Sequence, residues 1–115
     1  MHEMGIAMQI LGIVQQSMPA GEPLKVKAIH LTIGKLTAIV PSSLTFCMDV
    51  VMKDTAAEGA EIVFNEVPVL LECDKCGAQS EVSAPPFVCG QCGSDNVEVV
   101  GGREMVIDSI EVEGE

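Results

Sequence analysis

The last third of this 115-residue chain contains two cysteine stretches that predict its fold, CDKCG at residues 73–77 and CGQCG at residues 89–93. In each stretch, two cysteines separated by two residues can point two thiolates at one metal ion. The glycine after each pair lets the backbone turn, so that amide groups can face the sulfur atoms without a clash from a Cβ atom. The spacing therefore predicts a closed tetrahedral site for a structural zinc ion, with four ligands: Cys73, Cys76, Cys89 and Cys92.

The same cysteines are compatible with two other kinds of site. Iron in a rubredoxin-like centre has the same ligands and geometry, so the spacing alone does not separate iron from zinc. Two independent redox dithiols are the second alternative, although paired thiols that are each followed by glycine rarely occur without a metal. The surrounding segment of about 30 residues is too short to bury a core, and it needs its metal to fold.

The charge and hydropathy of the chain limit its partners. Six basic residues against seventeen acidic ones give a net charge of −11. Because phosphate contacts require Lys and Arg, we expect no nucleic-acid partner, whereas a basic protein surface or a cation is well matched. The sequence has no run of about 18 apolar residues to span a membrane and no basic segment before its first apolar stretch. We therefore expect no signal peptide, no membrane partner and a cytoplasmic location. In the reducing cytoplasm, close-set cysteine pairs bind metal rather than form disulfides.

Hydrophobic periodicity predicts five regular elements around the cysteine segment. They are helices over residues 4–18 and 41–54 and strands over residues 24–33, 61–66 and 104–112. We expect an α/β fold in which two helices lie on a three-stranded mixed sheet, with an inserted zinc-ribbon lobe. The domain boundaries that follow are 1–69 plus 98–115 for the α/β domain and 70–97 for the zinc-binding lobe.

Apolar spacing also predicts which side chains face the core. In the first helix, one stripe at helical spacing consists of Ile6, Ile10, Ile13 and Val14. In the second helix, Cys47 lies on the apolar face, so a buried and inert thiol is the expected state. In the first strand, His30 alternates with Ile29 and Leu31 and should face away from them, into solvent or under a helix.

The first three residues, Met1-His2-Glu3, form a second candidate metal site. An isolated histidine usually has no special role, but this one directly follows the α-amine of Met1. The amine, the His2 amide nitrogen and the His2 imidazole can close fused chelate rings around one ion. The amide or carboxylate of Glu3 can complete the plane, and planar nitrogen ligands suit Ni(II) or Cu(II). Elsewhere we find no Ser/His/Asp arrangement, phosphate loop or spaced carboxylate pair, so we expect no enzyme active site.

Several motifs along the chain occur together in one known family. They are Met1-His2-Glu3, Ile33-Gly34-Lys35-Leu36, Pro41 with Leu44 and Phe46, Ala57-Glu58-Gly59-Ala60, the two cysteine stretches and Glu104-Met105-Val106-Ile107-Asp108-Ser109-Ile110-Glu111. In this order and spacing, from residue 1 to about 113, the sequence resembles the HypA/HybF family, the nickel-insertion accessory proteins of nickel–iron hydrogenase maturation.

The resemblance implies a nickel metallochaperone rather than an enzyme. By resemblance, the nickel ligands are the amine of Met1, the imidazole of His2 and the backbone amides of His2 and Glu3, and the zinc ligands are the four cysteines. The family works with the nickel-binding GTPase HypB and with the hydrogenase large subunit, so Ni²⁺ is cargo while Zn²⁺ is structural. A zinc-ribbon protein-interaction adaptor without nickel chemistry is the alternative that the residues leave open.

Overall fold

The computed structural model of the protein describes residues 3–18 and 24–114. Within these ranges the helices and strands are α1 (Glu3–Ser17), β1 (Lys25–Gly34), α2 (Pro41–Val51), β2 (Glu61–Val67), β3 (Val69–Cys73), β4 (Gln79–Val82), β5 (Val97–Gly101) and β6 (Met105–Glu113). A 3-10 turn, Lys35–Thr37, follows β1 directly. The strands form two three-stranded sheets, with the orders β2-β1-β6 and β4-β3-β5. Neither described helix is long and apolar enough to cross a membrane.

The predicted fold class is confirmed. Two helices accompany the sheet β2-β1-β6, and the strands of the second sheet lie between β2 and β6 in chain order. In that second sheet, β3 pairs antiparallel with both β4 and β5. Hydrophobic periodicity does not predict this sheet, because β4 and β5 have only four and five residues and contain no buried side chain.

The buried face of α1 differs from the predicted stripe at two positions, Ile6 and Ile13, of which Ile6 is half-buried. Its buried side chains are Ala7, Ile10 and Val14, whereas Ile13 is 49% exposed. At roughly 100° per residue, Ile13 lies about 90° around the helix from the middle of the buried face. The prediction that Ile13 belongs to the core is therefore wrong, because the face that packs inward is centred on Ala7, Ile10 and Val14.

Strand β1 changes its buried side midway. Lys25 and Lys27 are exposed in its first half, while Val26 and Ala28 are buried. Further along, the buried side chains include Ile29, Leu31 and Ile33. Because Ala28 and Ile29 are adjacent and both buried, the alternation shifts by one residue between them. Simple two-residue periodicity, which assigns the two lysines to the face of Ile29, does not predict this shift.

Helix α2 ends at Val51, earlier than the predicted end near residue 54. The Thr55 hydroxyl donates a hydrogen bond to the Met52 carbonyl at 2.6 Å, and Asp54 has a left-handed φ of +64°. An α-helix of L-residues does not continue through left-handed backbone. The chain therefore turns at these residues into the loop that leads to β2.

The residues group into two compact units. One comprises 1–31, 39–65 and 106–115 and contains both helices. The other comprises 32–38 and 66–105 and contains the second sheet and the four paired cysteines. Within this second unit, Gly34 N–H donates to the Glu104 carbonyl at 2.7 Å and Leu36 N–H donates to the Gly102 carbonyl at 2.8 Å. These bonds explain why the end of β1 groups with the second sheet, which chain order alone does not indicate.

Candidate metal centres

The four predicted zinc ligands lie close together. Their Sγ atoms are all within 4.8 Å of one another, with 3.6 Å from Cys73 to Cys92 and 3.6 Å from Cys76 to Cys89. Four thiolates at about 2.3 Å from one tetrahedral ion are roughly 3.8 Å apart, whereas bonded disulfide sulfurs are about 2.05 Å apart. All four cysteines are free thiols. Their arrangement therefore fits a tetrahedral metal ion and excludes disulfides within the cluster.

The first cysteine turn directs two amides at one sulfur. The Sγ atom of Cys73, the last residue of β3, accepts hydrogen bonds from the N–H groups of Lys75 at 3.3 Å and Cys76 at 3.4 Å. Gly77 closes the turn, because its N–H donates to the Cys73 carbonyl at 3.0 Å and its φ is +76°. A side chain at this φ would be strained, which explains the glycine.

The second turn repeats this arrangement before β5. Cys89 Sγ accepts hydrogen bonds from the N–H groups of Gln91 at 3.3 Å and Cys92 at 3.4 Å. Gly93 N–H donates to the Cys89 carbonyl at 3.0 Å, with φ at +74°. The sequence predicts that amides face the sulfurs in each turn, and the structure identifies their donors as the two residues before the glycine.

Hydrogen bonds and sulfur contacts shift the pKa values of Cys73, Cys76 and Cys89. The Cys92 and Gln91 amides lower the pKa of Cys89 to about 6, and the Cys76 and Lys75 amides lower the pKa of Cys73. The Ala78 amide acts in the same direction on Cys76, but contacts with neighbouring sulfurs and removal from water outweigh it and raise the Cys76 pKa to about 11. Four thiolates this close repel one another strongly, so a divalent cation is what would allow all four to be ionised.

The cluster has the chemistry of a closed structural site. Soft thiolate ligands in tetrahedral geometry suit zinc, and four protein ligands leave no open position for substrate or water. It is also the one group of three or more His, Cys, Asp or Glu side chains in residues 3–18 and 24–114 that is arranged to hold a metal ion. The four-cysteine cluster therefore fits a structural zinc site.

The second candidate site lies mainly outside the described residues. Met1 and His2 precede the first described residue, Glu3, which begins α1. Glu3 is half-buried, and its Oε2 atom accepts a hydrogen bond from the Val40 N–H at 3.4 Å. It also lines a cavity of about 700 Å³, whose other lining residues are Met4, Gly5, Ser42, Ser43, Phe46 and Cys47.

The remaining histidine and the fifth cysteine have other surroundings. His30 is half-buried, and its Nε2 atom lies 2.5 Å from Oε2 of Glu111, 81 residues away in sequence. The prediction that His30 alternates with buried neighbours is confirmed, but strand periodicity does not predict that Glu111 is its partner. Cys47 is a free thiol that is half-buried rather than buried, because it lines the cavity beside Glu3.

Comparison with known proteins identifies the family. The family model described as "Hydrogenase/urease nickel incorporation, metallochaperone, hypA" matches residues 1–112. The chain belongs to the HypA family. It is 46% identical to the hydrogenase maturation factor HypA of Desulfosudis oleivorans, over 97% of this chain and 98% of that protein. It is 42% identical to the HypA of a Nostoc species, over 98% of this chain and 96% of that protein.

Solved structures show the same fold. The solution structure of the Ni metallochaperone HypA from Helicobacter pylori matches with a TM-score of 0.67, covering 100% of both chains at 23% identity. A second HypA solution structure matches with a TM-score of 0.69, covering 99% of this chain and 98% of that one at 22% identity. At such low identity these likenesses concern the fold alone.

Family membership defines the broad function. HypA proteins are nickel metallochaperones of hydrogenase maturation. A metallochaperone is defined by the metal ion that it carries and not by a reaction that it catalyses. The chain is accordingly part of the hydrogenase maturation machinery, with nickel as cargo and a cysteine cluster that fits structural zinc.

Proposed function

We propose that this chain binds one Ni(II) ion at its N-terminus and delivers it to the large subunit of a nickel–iron hydrogenase, without itself catalysing a reaction. The observation that carries the proposal is the family match over residues 1–112, which includes the N-terminal motif and both cysteine pairs. The curated relatives at 46% and 42% identity are both hydrogenase maturation factors, which favours hydrogenase over urease as the recipient.

The nickel site in this proposal consists of Met1, His2 and Glu3. The α-amine, the His2 amide and imidazole nitrogens and the Glu3 amide supply four nitrogen ligands that can lie in one plane. Such a set suits Ni(II), whose ligands must lose their protons on binding.

The zinc site in this proposal consists of Cys73, Cys76, Cys89 and Cys92, and it is structural. Zinc supplies positive charge that holds four thiolates together, and the paired amides orient Cys73 and Cys89 toward it. The bound ion joins the two cysteine turns and so stabilises the unit that holds them, residues 32–38 and 66–105.

The proposed partners are the nickel-binding GTPase HypB, as the nickel source, and the hydrogenase large subunit, as the recipient. The net charge of −11 supports protein surfaces that carry Lys and Arg over nucleic acid. Five free cysteines support a reducing compartment, and we place the protein in the cytoplasm.

Nickel titration of the untagged chain by calorimetry tests the proposal. His2→Ala should abolish tight binding of Ni(II) while zinc stays bound at one ion per chain. The matched control is His30→Ala, which removes the chain's other histidine and should leave nickel affinity unchanged. An N-terminal extension that converts the α-amine of Met1 to an amide should act like His2→Ala.

Two outcomes would contradict the assignment. Unchanged nickel affinity in His2→Ala would exclude the N-terminal site. One zinc and no nickel in the wild-type protein after incubation with Ni(II) would favour a zinc-ribbon interaction adaptor.

A further inference from the structure

Each cysteine turn has one further amide, the N–H of the residue directly after its first cysteine, and this amide bonds outside its own turn. In the first turn the residue is Asp74, whose N–H donates to the backbone carbonyl of Asn96 at 3.0 Å. Asn96 directly precedes β5, the strand that follows the second turn. A main-chain hydrogen bond therefore ties the first turn to the chain that leaves the second turn.

In the second turn the equivalent amide bonds to a side chain. The Gly90 N–H donates to Ser80 Oγ at 2.9 Å. A Cβ atom at Gly90 would lie only 3.1 Å from that oxygen, so the hydroxyl lies directly against the glycine backbone. Ser80 belongs to β4, the strand that follows the first turn, and it stands opposite Leu71 of β3. Because β3 ends at Cys73, Ser80 ties the second turn to the hairpin that carries the first.

We infer that Ser80 is a positioning residue of the zinc site, because its hydroxyl holds the second cysteine turn against the first. It takes the role that a backbone carbonyl has for the Asp74 N–H. The inference rests on the proposed zinc site and adds to it a side chain outside the four ligands. With a cross-link from each turn, the two thiolate pairs face each other before the metal binds, so less of the chain has to be ordered on binding.

Only the Ser80 cross-link can be removed by a substitution of its acceptor, since the acceptor of the other is main chain. Ser80→Ala should weaken zinc binding by about tenfold, the lower end of the range for groups that orient metal ligands. Ser80→Thr keeps a hydroxyl, and threonine is favoured in strands, so its zinc affinity should stay within about threefold of wild type. The matched control Ser83→Ala makes the same change at an exposed position just beyond β4 and should bind zinc as wild type does. Competition with a chromophoric zinc chelator measures the affinity of each full-length protein.

Amide hydrogen exchange of the zinc-loaded proteins, followed by NMR, separates positioning from a general loss of stability. In Ser80→Ala the Gly90 N–H should exchange faster than in wild type. The Asp74 N–H should keep its wild-type rate, because its acceptor is unchanged. Equal acceleration of both amides would show that Ser80 stabilises the whole unit, and it would overturn the inference. Wild-type zinc affinity in Ser80→Ala, or a loss in Ser80→Thr equal to that in Ser80→Ala, would overturn it as well.

The test still decides if Ser80→Ala does not fold. In that case, slow exchange of the Gly90 N–H in the wild-type protein, together with zinc bound by Ser80→Thr, supports the inference. A wild-type Gly90 N–H that exchanges as fast as an unprotected amide contradicts it, because no hydrogen bond to Ser80 then exists. A wild-type protein that binds no zinc is a different result, since it removes the proposed zinc site itself.

Discussion

Gly34, the last residue of β1, packs directly against the backbone of Gly102. A Cβ atom at Gly34 would overlap the Gly102 carbonyl group and approach the Arg103 nitrogen to 2.8 Å. The Gly102 carbonyl also accepts the Leu36 N–H at 2.8 Å, so neither backbone segment can move away without losing a hydrogen bond. This close approach lies within the unit that holds the cysteine cluster.

Gly34→Ala should lower the free energy of unfolding by about 3 kcal/mol, because overpacking here displaces backbone rather than a flexible side chain. Urea denaturation of the zinc-loaded protein measures the change. The matched control is Gly12→Ala in α1, where an added Cβ meets nothing within 4 Å. Alanine should stabilise that helix by about 1 kcal/mol. A Gly34→Ala protein as stable as wild type would mean that the two backbones are not in contact.

Cys92→Ser should remove the bound zinc and unfold the second sheet, since three thiolates and a hydroxyl no longer form the closed site. The expected zinc content, measured by elemental analysis, falls from about one ion per chain to none after dialysis. The proposed N-terminal nickel site should still bind one Ni(II) per chain. Cys47→Ser is the control, because Cys47 lies outside the cluster and its loss should leave zinc content unchanged. Retention of tightly bound zinc by Cys92→Ser would exclude Cys92 as a ligand.

Glu104 makes stability depend on pH. Its own N–H and that of Gly102 lower the pKa of its carboxyl, and the Gly102 N–H lies 2.6 Å from Oε1. A carboxyl with a lowered pKa in the folded state stabilises the fold above its unfolded pKa, which is about 4.3. That contribution is lost as pH falls through the folded pKa.

Glu104→Gln should therefore have a lower free energy of unfolding than wild type at pH 7, and the difference should narrow as pH falls below about 4.3 and through the folded pKa. Urea unfolding at several pH values measures it, with zinc content checked in every sample. Glu113→Gln, which neutralises an exposed carboxylate on β6, is the control. If the free energies of unfolding of Glu104→Gln and wild type differed by the same amount at every pH, this carboxylate would not be the source of the pH dependence.

The sequence predicts local features well, and it misses the long-range ones. Cysteine spacing and glycine positions are enough to predict the cluster, because each turn is set within five residues. The bounds of α1, β1, β2 and β6 follow from periodicity to within one residue, whereas the end of α2 and the strands β3, β4 and β5 do not. The contacts of Glu3 with Val40 and of His30 with Glu111 join residues 37 and 81 positions apart. No local pattern encodes such pairs, since their spacing depends on how the sheet and helices assemble.

The pair of His30 and Glu111 should contribute only modestly to stability. The two side chains are 33% and 54% exposed, and polar side-chain pairs with this much contact with water contribute about 0.2–1 kcal/mol. A double-mutant cycle with His30→Ala and Glu111→Ala, followed by urea unfolding, isolates the interaction from the other effects of each substitution. We expect a coupling of about 0.5 kcal/mol. A coupling above about 2 kcal/mol would instead indicate a desolvated pair that fixes β1 to β6.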